Sequence, residues 1–420
     1  MWYFSSYHLF HTLNKCDLNI PHISFFYQAT IEIVHILKTN QLNTLDNLQI
    51  MLNRNEFFNH YSNMGNCNLR IDTYDPTVSL NRQNFTFHYP IGKGGFGKVW
   101  RVTLKKNKQI YAMKEMLKAR IIARRSVQSV MNERRLLAIL KHPFIVNMQF
   151  AFQDHENLYL AMDLMPGGDL RYHLSKVKRF PEEQTKFFVT CLVIGLEYLH
   201  KNNIIHRDIK PENLVLDSKG YVHITDFGIA RIWQAENSNE TSGTPGYMAP
   251  EVLCRQNHSF PVDYFALGVI VFEFMTGKRP YLGKDRKEIR DAIIAKQVQL
   301  KQNDVPSGWS AEAVDFVNKL IQRKPQNRLG TQGIEEIKDH PWLRDVEWER
   351  AFNKQLIPTF RPPNSDNFDA RQVMNEWKDE ASMAQKDHCE QNLFIGYFFD
   401  HNLPTDHNNS MRNPKIEIKA

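Results

Sequence analysis

A lysine inside an apolar run is the residue of this 420-residue chain that most needs a chemical reason. Lys114 follows Tyr111, Ala112 and Met113, and an ammonium group in such a strand carries a large desolvation cost unless anions meet it. Glu133, on a run with helical spacing, is one partner; phosphate oxygens are another. Upstream, Ile91-Gly92-Lys93-Gly94-Gly95-Phe96-Gly97-Lys98-Val99 has the spacing G-x-G-x-x-G. Glycines between two strands let backbone N–H groups lie flat over phosphates, where a Cβ would intrude. Dinucleotide-binding turns share these letters but need a helix directly after them; here a β-patterned run follows instead. An ordinary tight hairpin also satisfies the glycines taken alone. Three more strings lie downstream: His206-Arg207-Asp208-Ile209-Lys210-Pro211-Glu212-Asn213, Thr225-Asp226-Phe227-Gly228 and Met248-Ala249-Pro250-Glu251. Each has a plain reading by itself, such as a turn for Asp226-Phe227-Gly228. Together, in this order and at these separations, they are not a coincidence.

These groups need elements to hold them. Phe85 to Tyr89 alternates as a strand does, Lys98 to Leu104 alternates again, and Ile110 to Met116 reads as a third strand. Ser129 to Leu140 has the spacing of an amphipathic helix, and Glu182 to Lys201 predicts a long one. A small β-rich lobe followed by a larger α-rich lobe is the expected architecture. No internal repeat is present. Residues 1–76 differ: they are Asn-rich, carry aromatic clusters, and offer only weak helical patterns at Ile31 to Leu37 and Leu42 to Leu52. A poorly ordered or loosely docked extension without assigned function is expected there.

Composition narrows the class. Hydrophobic residues make up 42% and charged residues 24%, which excludes fibrous and wholly disordered chains. No apolar run reaches the roughly 18 residues of a membrane helix, so no transmembrane segment is expected, and neither a secretory leader nor a lipidation signal is visible. Five widely spaced cysteines form neither a disulfide framework nor a metal knuckle. A reducing intracellular location follows, cytoplasmic with the nucleus left open. The net charge is +7, and because residues before Pro76 are slightly acidic the positive excess lies beyond them; it suits an enzyme handling phosphate anions, and no motif argues for nucleic acid.

From Phe85 to Trp342 the strings quoted above resemble the signature set of eukaryotic protein kinases. The resemblance implies a bilobal α+β fold, a kinase domain at 85–343, and ATP with Mg2+ as cofactors. It implies that Lys114, steadied by Glu133, holds the α- and β-phosphates, that Asn213 and Asp226 ligate Mg2+, and that Asp208 orients and deprotonates the acceptor hydroxyl. Chemistry independently asks for such types, since a hard cation wants carboxylate and amide oxygens. Lys210 can neutralise the transferring phosphoryl group and matches serine/threonine kinases. The nucleotide site would comprise the glycine loop (Ile91, Gly92, Lys93, Gly94, Gly95, Phe96, Gly97), Val99, Ala112 and Val215 around adenine, Met162 as gatekeeper, and Asp163 to Met165 as hinge. Asp169, Glu212 and Phe368 complete its rim. Glu251 and Arg328 resemble the ion pair anchoring the activation segment. Asp263 resembles the brace of the catalytic loop, with Phe265 where the family usually has tryptophan. Leu137, Met148, His206 and Phe227 would stack between the lobes. A catalytically silent relative would lack Lys114, Asp208, Asn213 or Asp226; all four are present.

Residues 344–402 resemble the C-terminal tail of the AGC group, through Asn367-Phe368-Asp369 and a terminal aromatic motif, Phe394, Tyr397 and Phe399; residues 403–420 are expected to be disordered. The tail implies docking on the small lobe beside the Glu133 helix. Two positions depart from the group. Phe398 stands where a phosphorylated Ser or Thr is usual, and Glu240 stands where the activation-segment phosphothreonine is usual. Arg207 and Arg231 would be the neighbouring cations, with Thr241 close enough to serve instead. Asp169, Glu212 and Glu273 match the acidic positions that read basic residues upstream of a target Ser or Thr in relatives of protein kinase A. Pro166 to Leu174 also looks like the YANK-type branch. A regulatory subunit or an upstream kinase would be further partners.

Overall fold

The computed structural model describes residues 80–365, 367–368 and 391–402. The extension expected at 1–76, Asp369 and the terminus expected at 403–420 lie outside the described residues. Alternation of large apolar side chains builds the first layer. Strands β1 (Phe85–Lys93), β2 (Gly97–Leu104), β3 (Ile110–Leu117), β4 (Met148–Gln153) and β5 (Asn157–Asp163) form an antiparallel sheet in the order β1-β2-β3-β5-β4. One face buries Val102, Met113, Phe150 and Ala161. Phe152 is stacked there between Phe85 and Tyr159, with centroids 5.6 and 4.9 Å away. The three strands predicted from alternation are present, each one to four residues longer than read. Two helices follow β3: α1 (Lys118–Ala123) and α2 (Val127–Ile139). α2 starts two residues before its predicted start, and buries Val130, Glu133, Leu136 and Leu137.

The large lobe is assembled around one buried helix, Pro261–Thr276. α3 (Leu170–Val177) is capped by Asp169, and α4 (Glu182–Lys201) spans its predicted range. Two short antiparallel pairs, β6 (Ile204–Ile205) with β9 (Arg231–Ile232) and the hairpin β7 (Leu214–Leu216) with β8 (Val222–Ile224), carry the catalytic loop and the Asp226 loop. α5 (Pro250–Leu253) precedes α6 (Pro261–Thr276), which is buried at every position from Val262 to Met275. A helix apolar all round must sit at the centre of its lobe, and α6 packs on α4 and on α8 (Ala311–Leu320), with α7 (Arg286–Ala295) between them in sequence. Its end is set by Gly277 at φ +78°, a left-handed cap. α9 (Glu335–Lys338) and α10 (Trp348–Phe352) close the lobe. No helix among the described residues is long and apolar enough to cross a membrane.

The tail then returns across both lobes. A Cβ on Gly220, at φ +107°, would lie 2.0 Å from the Phe360 carbonyl oxygen, and one on Gly168, at φ +71°, would lie 2.0 Å from that of Asn367. Only glycine allows both the backbone angle and the approach. The Asn367 amide donates to the Pro166 carbonyl at 3.0 Å, and the Phe368 ring stacks on Tyr89 of β1 at 6.3 Å. Phe394 and Tyr397 are buried, and Phe399 and Asp400 form β10, pairing antiparallel with β4 as a sixth strand. Lys118 is fully buried; its ammonium donates to the Asp154 carbonyl at 2.7 Å and to Gln391 Oε1 at 2.5 Å, and lies 5.5 Å from the Phe394 ring centre.

Two outcomes follow from this packing. Phe394→Ala should cost about 3–5 kcal/mol of folding free energy, the usual range for a buried Phe, whereas half-buried Phe398→Ala should cost less; denaturant titration measures both, and equal losses would refute the docking. His142 gives a pH signature. Its ring stacks on Tyr198 at 4.4 Å, Nδ1 accepts from the Phe144 amide at 3.2 Å, and burial lowers its pKa to about 4. As pH falls, the unfolded chain, with histidine near 6.5, takes up the proton first. Stability present above that value is therefore lost as pH falls toward about 4. His142→Phe keeps a ring beside Tyr198 and should flatten the fall in melting temperature across that window.

Candidate active site

β3 places Lys114 opposite Val99 of β2 and Leu160 of β5. Its ammonium donates to both Glu133 oxygens, at 2.8 and 3.0 Å. Burial works against the charge, yet Glu133 and then Asp226 hold the Lys114 pKa above its ordinary value. Asp226 Oδ1 lies 3.9 Å from Lys114, and this carboxylate is 48% exposed. Burial would raise the pKa of Asp226, but Lys114 and the Gly228 amide outweigh it and the carboxyl stays below the usual range. Asn132 of α2 donates to the Ala230 carbonyl at 3.0 Å, and Ser129 donates to that of Gly228. β3, α2 and the Asp226 loop are thus held by one set of contacts.

The catalytic loop is braced from below. Asp263, fully buried on α6, accepts from the His206 amide at 3.0 Å, the Arg207 amide at 2.8 Å and His200 Nε2 at 2.9 Å. Burial alone would raise its pKa; those donors, His200 foremost, lower it. Arg207 and Asp226 have φ of +68° and +64°, left-handed conformations that non-glycine residues adopt only when surroundings enforce them. On this support Asp208 Oδ2 accepts from Lys210 at 2.6 Å and Asn213 Nδ2 at 3.1 Å. Asp208 Oδ1 accepts from the Thr244 amide at 3.1 Å and the Thr244 hydroxyl at 2.7 Å. That hydroxyl in turn accepts from Lys210 at 2.8 Å.

Above them the glycine loop closes as a tight turn, Gly94 N–H donating to the Gly97 carbonyl at 2.8 Å. A Cβ on Gly97 would stand 1.9 Å from the Glu115 carbonyl oxygen, and one on Gly94 would touch Lys114 Cε at 3.7 Å. The loop tip therefore sits over the lysine. Ala112 pairs with Met162 across β3 and β5, and both are buried; Val215 lies half-buried on β7. Asp163 anchors the hinge, accepting from Gln149 at 2.6 Å and from the Asn147 side chain at 3.1 Å. Glu251 and Arg328 form a two-pronged pair at 2.7 and 2.9 Å, and the guanidinium lies 5.0 Å over the Phe265 ring.

The protein kinase domain family matches residues 85–343. The chain belongs to that family. It is 37% identical over 330 residues to a probable serine/threonine-protein kinase of Dictyostelium discoideum, a match covering 76% of this chain and 71% of that one. Serine/threonine-protein kinase YPK2/YKR2 of Saccharomyces cerevisiae is 34% identical over 365 residues, 83% of this chain and 53% of its own. Ribosomal protein S6 kinase 2 alpha of Xenopus laevis is 38% identical over 331 residues, 76% of this chain and 44% of its own. The chain thus spans about half the length of these last two. It is a serine/threonine protein kinase of the AGC group.

In this kinase the structure brings Lys114, Glu133, Asp208, Lys210, Asn213 and Asp226 together. It also adds Thr244, which no spacing or charge pattern in the sequence singles out. Glu240 is ion-paired with Arg207, whereas the Arg231 guanidinium donates to the Ala230 carbonyl at 2.8 Å. The Thr241 carbonyl accepts from Arg286 of α7. The three acidic positions are not equivalent: Asp169 Oδ1 caps α3 through the Tyr172 amide at 2.8 Å, while Glu212 and Glu273 both bind Arg171.

Because the Thr244 hydroxyl links Asp208 to Lys210, Thr244→Val should lower kcat roughly 100-fold while changing ATP affinity by less than about threefold. Steady-state kinetics with nucleotide titration checks this; an unchanged kcat would remove Thr244 from the catalytic network.

Proposed function

We propose that the cleft transfers the γ-phosphoryl group of Mg·ATP to serine or threonine hydroxyls of protein substrates, with the residue roles that follow. The observation that carries this is the convergence of β3, α2 and the Asp226 loop, through Lys114, on one anion-binding corner. Lys114 binds the α- and β-phosphates and is oriented by Glu133. Asp208 orients the acceptor hydroxyl and takes its proton, and Lys210, shared through Thr244, steadies charge on the transferred group.

The donor set suits magnesium. The Asn213 amide nitrogen is committed to Asp208, so what Asn213 offers a hard cation is its oxygen, beside the half-exposed carboxylate of Asp226. Magnesium, when bound, neutralises phosphate oxygens. Positioning and electrostatics then account for the chemistry.

Protein substrates run past Asp169, Glu212 and Glu273, the carboxylates read as a basic-residue site, where Arg171 already binds Glu212 and Glu273. Glu240 acts as a permanent substitute for an activation-segment phosphate: its carboxylate pairs with Arg207, which also donates to the Ile229 carbonyl at 2.8 Å. One carboxylate supplies less charge than a phosphate's roughly −1.5 to −2, but without a prior modification.

Transfer of labelled γ-phosphate to a serine peptide tests this reading. Phosphatase-treated wild type should remain active, Asp226→Ala should lose at least ~100-fold, about 2.7 kcal/mol of barrier, and Glu240→Ala should lose most of its activity. Inactivity after phosphatase treatment, or full activity of Glu240→Ala, would overturn the role of Glu240; full activity of Asp226→Ala would overturn the site.

A further inference from the structure

Arg171 sits in the first turn of α3, where its guanidinium reaches groups from three other segments. Nε donates to Glu212 Oε1 at 2.8 Å. Nη1 and Nη2 donate to the two oxygens of Glu273 on α6, at 2.9 and 3.1 Å. Nη2 also donates to the Tyr247 hydroxyl, which itself donates to Glu273 Oε2 at 2.5 Å. Such a two-pronged arginine–carboxylate fork is the strong form of the interaction. The Glu273 side chain is only 8% exposed, while Glu212 and Arg171 are partly open, at 43% and 31%. The Arg171 charge is permanent: burial opposes it, but Glu273, Tyr247 and Glu212 raise its pKa.

The network is mechanically continuous with the acceptor site. Glu212 lies in the Pro211–Asn213 turn, and Asn213 donates to Asp208. The Tyr247 amide donates to the carbonyl of Thr244, whose hydroxyl donates to Asp208. A peptide presenting a hydroxyl to Asp208 must therefore run its neighbouring residues past this cluster. Those residues meet carboxylates whose best hydrogen-bonding positions already hold a guanidinium. Two carboxylates and one guanidinium leave a single net negative charge there. Asp169 does not replace them, because Oδ1 caps α3.

We propose that Arg171 is a built-in occupant of the basic-residue subsite, taking on Glu212 and Glu273 the contacts that an upstream arginine of a substrate would otherwise make. This rests on the reading of the cleft as a peptide-phosphorylating site. The enzyme then discriminates only weakly for arginine upstream of the acceptor, and the selectivity is latent in the acidic pair. A substrate arginine must compete with a tethered one, so its benefit appears in KM and is reduced by the contacts it displaces. Arg171→Lys keeps the charge but loses the fork, and so exposes part of the pair.

The test measures kcat and KM for two serine peptides, one with arginines two and three residues upstream and one with alanines there. The enzymes are wild type, Arg171→Ala, Arg171→Gln and Arg171→Lys, with melting temperatures recorded for each. Wild type should favour the arginine peptide by less than about threefold. Arg171→Ala and Arg171→Gln should raise that ratio by about tenfold or more through KM, the scale of one charge-assisted contact, with Arg171→Lys between. Gln can hydrogen-bond Glu273, so a folded Gln variant keeps the test open if the Ala variant unfolds. A strong arginine preference in wild type that the variants leave unchanged overturns the role of Arg171 while leaving the peptide site intact. No preference in any of the four enzymes overturns both. Failure to phosphorylate either peptide, despite labelling of a generic protein substrate, overturns the peptide-groove reading itself.

Discussion

The ion pair between Lys114 and Glu133 is the constraint on which the small lobe depends. Glu133 is buried and Lys114 largely so, their side chains 4% and 13% exposed, and a lone charge in either position would be strongly unfavourable; breaking such a pair by removing one partner costs several kcal/mol. β3 and α2 therefore cannot drift apart without leaving both charges uncompensated. The same helix carries Ser129 and Asn132 to the carbonyls of Gly228 and Ala230, so the placement of α2 is also that of the Asp226 loop. Behind it, Phe394 and Tyr397 fill the space between α2 and β4, and β10 extends the sheet. Electrostatics sets where the helix stands on its inner face, and apolar burial holds it from the outer one.

The large lobe solves a different problem, holding backbone in conformations it would not choose. Arg207 and Asp226 both have positive φ, and both flank groups that must point into the cleft. Asp263 stabilises the first by accepting two consecutive amides, those of His206 and Arg207, which a regular strand would direct to opposite sides. The Arg207 side chain then binds both the Ile229 carbonyl and Glu240. One buried carboxylate on a central helix thus connects the fold of the lobe to the state of the activation segment.

Much of this was legible from residues alone. Strict alternation exposed β1 to β3, and Lys114 stood out because its charge contradicts its neighbours. α4 was readable along its whole length, and the catalytic strings were recognisable by type and order. Other features left no local trace. β10 has only two residues, too few for periodicity, and exists because β4 offers an unpaired edge. Arg171 and its partners are 41 and 102 residues apart. In sequence Arg171 is one more polar residue on the exposed side of a short helix, and only folding shows that it meets the carboxylates read as a substrate site. Thr244 is an ordinary threonine in sequence, and its link between Asp208 and Lys210 depends on how the activation segment folds back. Contacts set by chain topology are the ones that spacing cannot reveal.

A common theme joins the departures from the AGC pattern. Glu240 stands where a phosphate is usual in the group, Phe398 stands where a second phosphorylated residue is usual, and Arg171 meets carboxylates that match the group's substrate-arginine positions. In each case a group that would arrive by modification or binding is matched by one already in the chain. The substitutions differ in physical kind. Glu240 supplies a weaker, permanent charge, 38% exposed and therefore partly screened. Phe398 carries no charge, and the docked segment is held by buried Phe394 and Tyr397 and by the pairing of β10 with β4. Arg171 supplies a full charge in a two-pronged geometry, partly shielded from solvent. On the roles proposed above for Glu240 and Arg171, a kinase so arranged gains an assembled cleft without waiting for a signal, while giving up one means of choosing among substrates.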